Sequence, residues 1–168
     1  STNWSHFLAP GHHPRADSLS DRHLALVQFA DAAAQHRVVK DVIDRLMQAT
    51  PIRRGALNAL EWTLNEVTDN VLNHAESAEG GYVQMAVLPD RVALCVVDVG
   101  QGMLRSLRGA FLHLKDDTEA IEYALRQGVT RDPSIGQGNG LKGSLRLAMG
   151  FGGRFEIRSH RGRILWEA

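Results

Sequence analysis

Glu66, Asn70 and Asn73 fall at helical spacing within the stretch LNALEWTLNEVTDNVLNHA, Leu57–Ala75. A carboxylate followed four residues later by a carboxamide sets an anionic acceptor and a neutral oxygen ligand one helical turn apart on the same face. The carboxylate suits taking a proton from an attacking water or hydroxyl. The carboxamide oxygen of Asn70, joined by phosphate oxygens, suits magnesium, which prefers oxygen ligands and keeps several waters. Two glycine-rich stretches follow, VVDVGQGM (Val96–Met103) and GQGNGL (Gly136–Leu141). In the first, Asp98 offers acceptor oxygens to an exocyclic amine, and Gly100 and Gly102 remove the side chains that would obstruct a flat base. In the second, Gly136, Gly138 and Gly140 let a loop turn its amides inward, and a helix starting near Leu141 presents its positive dipole end to the same phosphate oxygens.

Each signal is ordinary by itself, since helices are rich in Glu and Asn and a polar stripe is usually a solvated face. Their order and spacing make them specific together. Bulk composition narrows the choice. The 168 residues, 43% hydrophobic, suffice for one core and are short for two. With 19 basic and 19 acidic residues there is no global field favouring nucleic acid or an anionic membrane, so phosphate binding must be local. The lone Cys95 sits in an apolar run, reads as a buried small side chain, and fits a reducing cytoplasm. No apolar run approaches the roughly 18 residues of a membrane span.

The elements that must position these residues follow from periodicity. Residues 1–20 read as a flexible lead-in and 21–168 as one domain. LALVQF predicts an edge strand, and a helix follows over Ala33–Gln48 with Val38, Val39, Val42, Ile43, Leu46 and Met47 inward, broken at Thr50–Pro51. The organising helix buries Leu57, Leu60, Leu64, Val67 and Val71. YVQMAVL and VALCVVDV, divided by Pro89-Asp90-Arg91, predict an antiparallel hairpin, and RFEIRSH and RILWE another. Between them lie a helix over Thr118–Gln127, a lid over about residues 104–140, and a helix over Leu141–Met149. The expected fold is an α/β sandwich: one mixed, mostly antiparallel sheet covered on one face by helices. There is no G-x-x-x-x-G-K-[ST] loop, and Gly136-x-Gly138-x-Gly140 lacks dinucleotide-fingerprint spacing.

NEVTDNVLNHA, DVGQGM and GQGNGL together resemble the three nucleotide boxes of the GHKL superfamily, the Bergerat-fold ATPases. The likeness runs from about Leu24 to the C-terminus and is greatest to anti-sigma-factor serine kinases and histidine-kinase catalytic domains. It implies ATP and Mg²⁺ as ligands, Glu66 as the catalytic acid/base, Asn70 as the metal ligand, and Asn73 and His74 beside the phosphates. Asp98 would bind the adenine amine, Gly100, Gly102 and Met103 would wall the base, and Gly136, Gly138, Gly140 and Leu141 would close the lid. One departure stands out: the family's Gly-Thr in the last hairpin is replaced by Arg161-Gly162-Arg163-Ile164.

The implied function is a cytoplasmic regulatory protein, a serine/threonine kinase acting on a signalling partner, with no nucleic-acid or membrane ligand. The alternatives are an ATP-dependent switch or interaction module with little turnover, a slow hydrolase, or the catalytic domain of a longer sensor histidine kinase. Stand-alone relatives often pair as homodimers through the sheet or the N-terminal segment.

Overall fold

A computed structural model describes residues 22–126 and 140–168. Strand β1 (His23–Phe29) leads into helix α1 (Ala32–Ala49) and helix α2 (Arg54–His74), followed by the hairpin β2 (Gly81–Val87) and β3 (Val92–Asp98). Two short helices, α3 (Gly102–Arg108) and α4 (Asp117–Ala124), precede α5 (Gly140–Gly150) and the closing hairpin β4 (Arg154–Ser159) and β5 (Gly162–Glu167). The protein is thus α/β, with antiparallel sheets of three strands, in the order β1-β2-β3, and of two, β4-β5.

Period-two alternation decides the inward face of the larger sheet. Val83, Met85 and Val87 are buried on β2, paired with Val96, Leu94 and Val92 of β3. Phe29 and Leu24 join them from β1, whose register slips between Leu24 and Val27. Against this face lie α1 and α2. Asp31 caps α1, its side chain accepting from the Ala34 N–H at 2.7 Å, and Val38, Val39, Val42, Ile43 and Leu46 supply the buried stripe. Met47, expected inside, is 54% exposed, because it lies one step past that stripe at the fraying end of the helix. On α2, Leu64 and Val71 are buried and Leu57 and Leu60 pack at the core's edge, but Val67 is only half-buried and the wholly buried position beside it is Thr68.

Thr68 can be buried because its hydroxyl is satisfied locally, donating to the Leu64 carbonyl at 2.7 Å. Gln35 of α1, also buried, donates from Nε2 to Thr68 Oγ1 at 2.9 Å and to Asp69 Oδ1 at 2.7 Å, a polar strut between the two helices. Gln35→Ala removes both bonds and opens a gap, so it is expected to destabilise the fold by about 1–3 kcal/mol in chemical denaturation. A cost below about 0.5 kcal/mol would show that the strut holds nothing.

A second, smaller core forms where Leu107, Leu114 and Ala120 meet beneath Met103, Leu104, Phe111 and Tyr123, gathering α3 and α4. Asp116 caps α4 by accepting from the Glu119 N–H at 2.8 Å. Helix α3 was not foreseen as a helix: it begins on Gly102, the second of two glycines read only as facing a base, and no side chain caps it.

The single mixed sheet expected from the sequence is instead two antiparallel sheets, with no parallel pair among the described residues. Alternation fixes the inward face within a hairpin, but not how one hairpin's edge meets another across a connection carrying three helices. Cys95 is half-buried rather than buried, and desolvation pushes its thiol up, away from the reactive thiolate. Among the described residues no helix is long and apolar enough to cross a membrane.

Candidate functional site

Helix α2 is the spine of the site. Its middle turns meet α5: Trp62 lies against Gly143, where an added Cβ would fall 2.4 Å from the indole, and Glu66 lies against Gly140, where a Cβ would fall 2.1 Å from Oε2. The carboxylate expected to be the acid/base therefore sits at the first residue of α5, the helix start expected to receive phosphate. Burial first, and the Asp69 charge second, hold the Glu66 carboxyl above the usual Glu value. That direction strengthens it as a proton acceptor.

One turn along, Asn70 is half-buried, and its Nδ2 is shut off from solvent with no hydrogen-bond partner among the described residues. A buried amide group without a partner is costly, so such a group marks a place where another polar atom belongs. Among the described residues no three His, Cys, Asp or Glu side chains gather as a metal cluster. Nδ2 is an N–H donor, so the atom that belongs beside it is an acceptor; of the two amide atoms of Asn70 only Oδ1 has the chemistry to meet a hard cation. Asn73 is exposed and His74 half-buried at the end of the helix.

The C-terminal end of α2 anchors the glycine loop. The Ala75 carbonyl accepts the Gln101 N–H at 2.8 Å, and the His74 carbonyl accepts Gln101 Nε2 at 3.1 Å. Gly100 is pressed so closely on this end that a Cβ would stand 2.1 Å from the Ala75 oxygen. Asp98, exposed at the end of β3, turns Oδ1 back to accept the Gly100 N–H at 2.8 Å. Its other oxygen has no hydrogen bond among the described residues, so one carboxylate shapes the loop and still offers an acceptor.

On the far side the loop is held by the β4–β5 turn. Gly102 has φ +74°, and a Cβ there would meet the His160 ring at 2.4 Å. The Met103 N–H donates to Ser159 Oγ at 2.9 Å. The Met103 side chain is half-buried and packs against the α3–α4 core. Gly136 and Gly138 lie outside the described residues, whereas Gly140 and Leu141 form the first turn of α5.

A depression of about 430 Å³ flanks the loop on its α3 side and is lined by Gly100, Gln101, Leu104, Arg105, Arg108, Asp117 and His160. It takes in Gly100 but neither Glu66, Asn70 nor Asp98. What the fold does bring together is Glu66 with Gly140, and Asp98, Gly100 and Gln101 with the end of α2.

No protein-family model, curated protein or solved structure matches the chain. Function therefore has to be read from this geometry and from the three motifs.

Sequence reasoning missed Gln35, Gln101, Ser159 and His160 as contributors to the site's frame. Gln101 had a signal, lying between the two glycines. Ser159 and His160 had none, since their partners are 56 and 59 residues away.

Proposed function

We propose that the chain is an ATP-binding regulatory protein of the GHKL type that passes the γ-phosphoryl group of Mg-ATP to a serine or threonine hydroxyl of a partner protein. The observation that carries this reading is helix α2, which holds Glu66 at the start of α5, an Asn70 carboxamide one turn later whose buried Nδ2 has no partner among the described residues, and the Asp98 loop on its last carbonyls.

Each residue then has a task. The free oxygen of Asp98 accepts from the adenine amine, which guanine does not carry at that position. The first amides of α5, bare of a side chain at Gly140, face the phosphates. Asn70 would hold the cation through Oδ1, and the cation would supply neutralisation of the phosphate charge. Glu66 takes the hydroxyl proton as the acceptor oxygen bonds to the γ-phosphorus and the bond to the bridging oxygen breaks, leaving ADP.

Two variants test the site by calorimetry. Asp98→Asn keeps an oxygen for the Gly100 amide but turns an NH₂ donor toward the base, so ATP binding should weaken about 10- to 100-fold. Asn70→Ala should weaken Mg-ATP binding about tenfold while leaving metal-free ATP binding nearly unchanged. Equal losses with and without magnesium would remove Asn70 from the metal site, and an unaltered affinity in Asp98→Asn would remove Asp98 from the base site.

A further inference from the structure

Four backbone groups of the loop Gly100–Met103 are held from outside it. Asp98 takes the Gly100 N–H and Ala75 takes the Gln101 N–H, both from the side of α2 and β3. On the opposite side His160 Nε2 stands 2.9 Å from the Gln101 carbonyl, and Ser159 Oγ accepts the Met103 N–H at 2.9 Å. A carbonyl oxygen only accepts, so Nε2 carries the proton and the ring is fixed in that tautomer. Ser159 is buried, and the His160 ring lies flush on Gly102, leaving no room for a Cβ between them.

His160 reaches this place at a cost. Its φ is +46°, in the left-handed region that a turn would ordinarily fill with glycine or asparagine. A histidine kept there, with its side chain on a loop 59 residues away, points from local strain to a task beyond turning the chain.

We propose that Ser159 and His160 are positioning residues that clamp the loop Gly100–Met103 in the shape that receives the purine. The inference rests on the nucleotide reading above. The clamp acts through the backbone: with the Gln101 carbonyl and the Met103 amide both held, Gly102 stays at positive φ and Gly100 stays against Ala75, which keeps the Asp98 carboxylate aimed past the loop. Neither residue touches the reacting atoms.

Glycine and asparagine at position 160 separate this role from plain stability. His160→Gly relieves the φ and removes the bond to Gln101, so it should melt at or above the wild-type temperature yet bind ATP about fivefold more weakly, with a reduced preference over GTP. His160→Asn tolerates the same φ and keeps an amide donor, so it should recover part of that affinity. Calorimetry and thermal melts on the three proteins give the answer. Unchanged ATP affinity in His160→Gly, while the wild type binds, overturns the clamp alone, as does an affinity in His160→Asn no better than in His160→Gly. Absence of ATP binding by the wild type overturns the nucleotide reading and this inference with it.

Discussion

Glu66→Gln is expected to lower phosphoryl transfer to a protein hydroxyl by about 10²–10⁴-fold, the usual contribution of a placed general base, while ATP affinity stays within about threefold. Glutamine matches the carboxylate in size, so the close fit against Gly140 is kept. The same variant carries a stability signature. The carboxyl is held above its ordinary value by burial first and Asp69 second. An acid whose pKa is raised in the folded state favours folding below its ordinary pKa and loses that contribution as pH rises through the raised value. Glutamine never ionises, so the variant should melt above the wild type at neutral pH, and the gap should close below about pH 4. Lost transfer with retained binding and a raised melting temperature would identify Glu66 as the base. Transfer persisting at the wild-type rate would remove it, and partner regulation persisting without transfer would favour the switch reading.

Gly100→Ala should have the largest effect on the frame of the site. Its Cβ would stand 2.1 Å from the Ala75 oxygen and 2.7 Å from Ala75 Cβ, and neither the helix end nor the loop is a flexible side chain that can step aside. The loop must retreat, stretching the 2.8 Å bond from Gln101 to Ala75 and the 3.1 Å bond from its side chain to His74. Two strained hydrogen bonds and an overpacked contact put the cost at about 2–3 kcal/mol, or roughly 5–10 °C in melting temperature for a chain of this size. Gly109 is the control: a Cβ there meets nothing within 4 Å, so Gly109→Ala should change stability by less than about 0.5 kcal/mol. A melting temperature for Gly100→Ala equal to that of the control would mean that the loop does not sit on the end of α2.

Much of this frame was legible before the structure. The stripe Val38–Leu46 and the alternation of β2 and β3 are direct outputs of helical and strand periodicity, and Glu66 and Asn70 were marked by a spacing that can serve only one helix face. Proline at position 51 placed the break between α1 and α2. What was not legible has a common cause. Thr68 is buried because its hydroxyl bonds to its own helix and to Gln35, and no hydropathy pattern announces a polar residue satisfied in that way. The separation of the sheets and the hold of Ser159 and His160 on the glycine loop depend on contacts between segments far apart in the chain, where periodicity carries no information.

The central claim is that this loop and helix receive adenine and phosphate, and titration calorimetry of the unaltered chain tests it most directly. The account predicts that Mg-ATP binds and that GTP, which presents a carbonyl where adenine presents its amine to Asp98, binds at least about tenfold more weakly. Equal affinity for the two nucleotides, or no heat of binding at millimolar ATP, would contradict it.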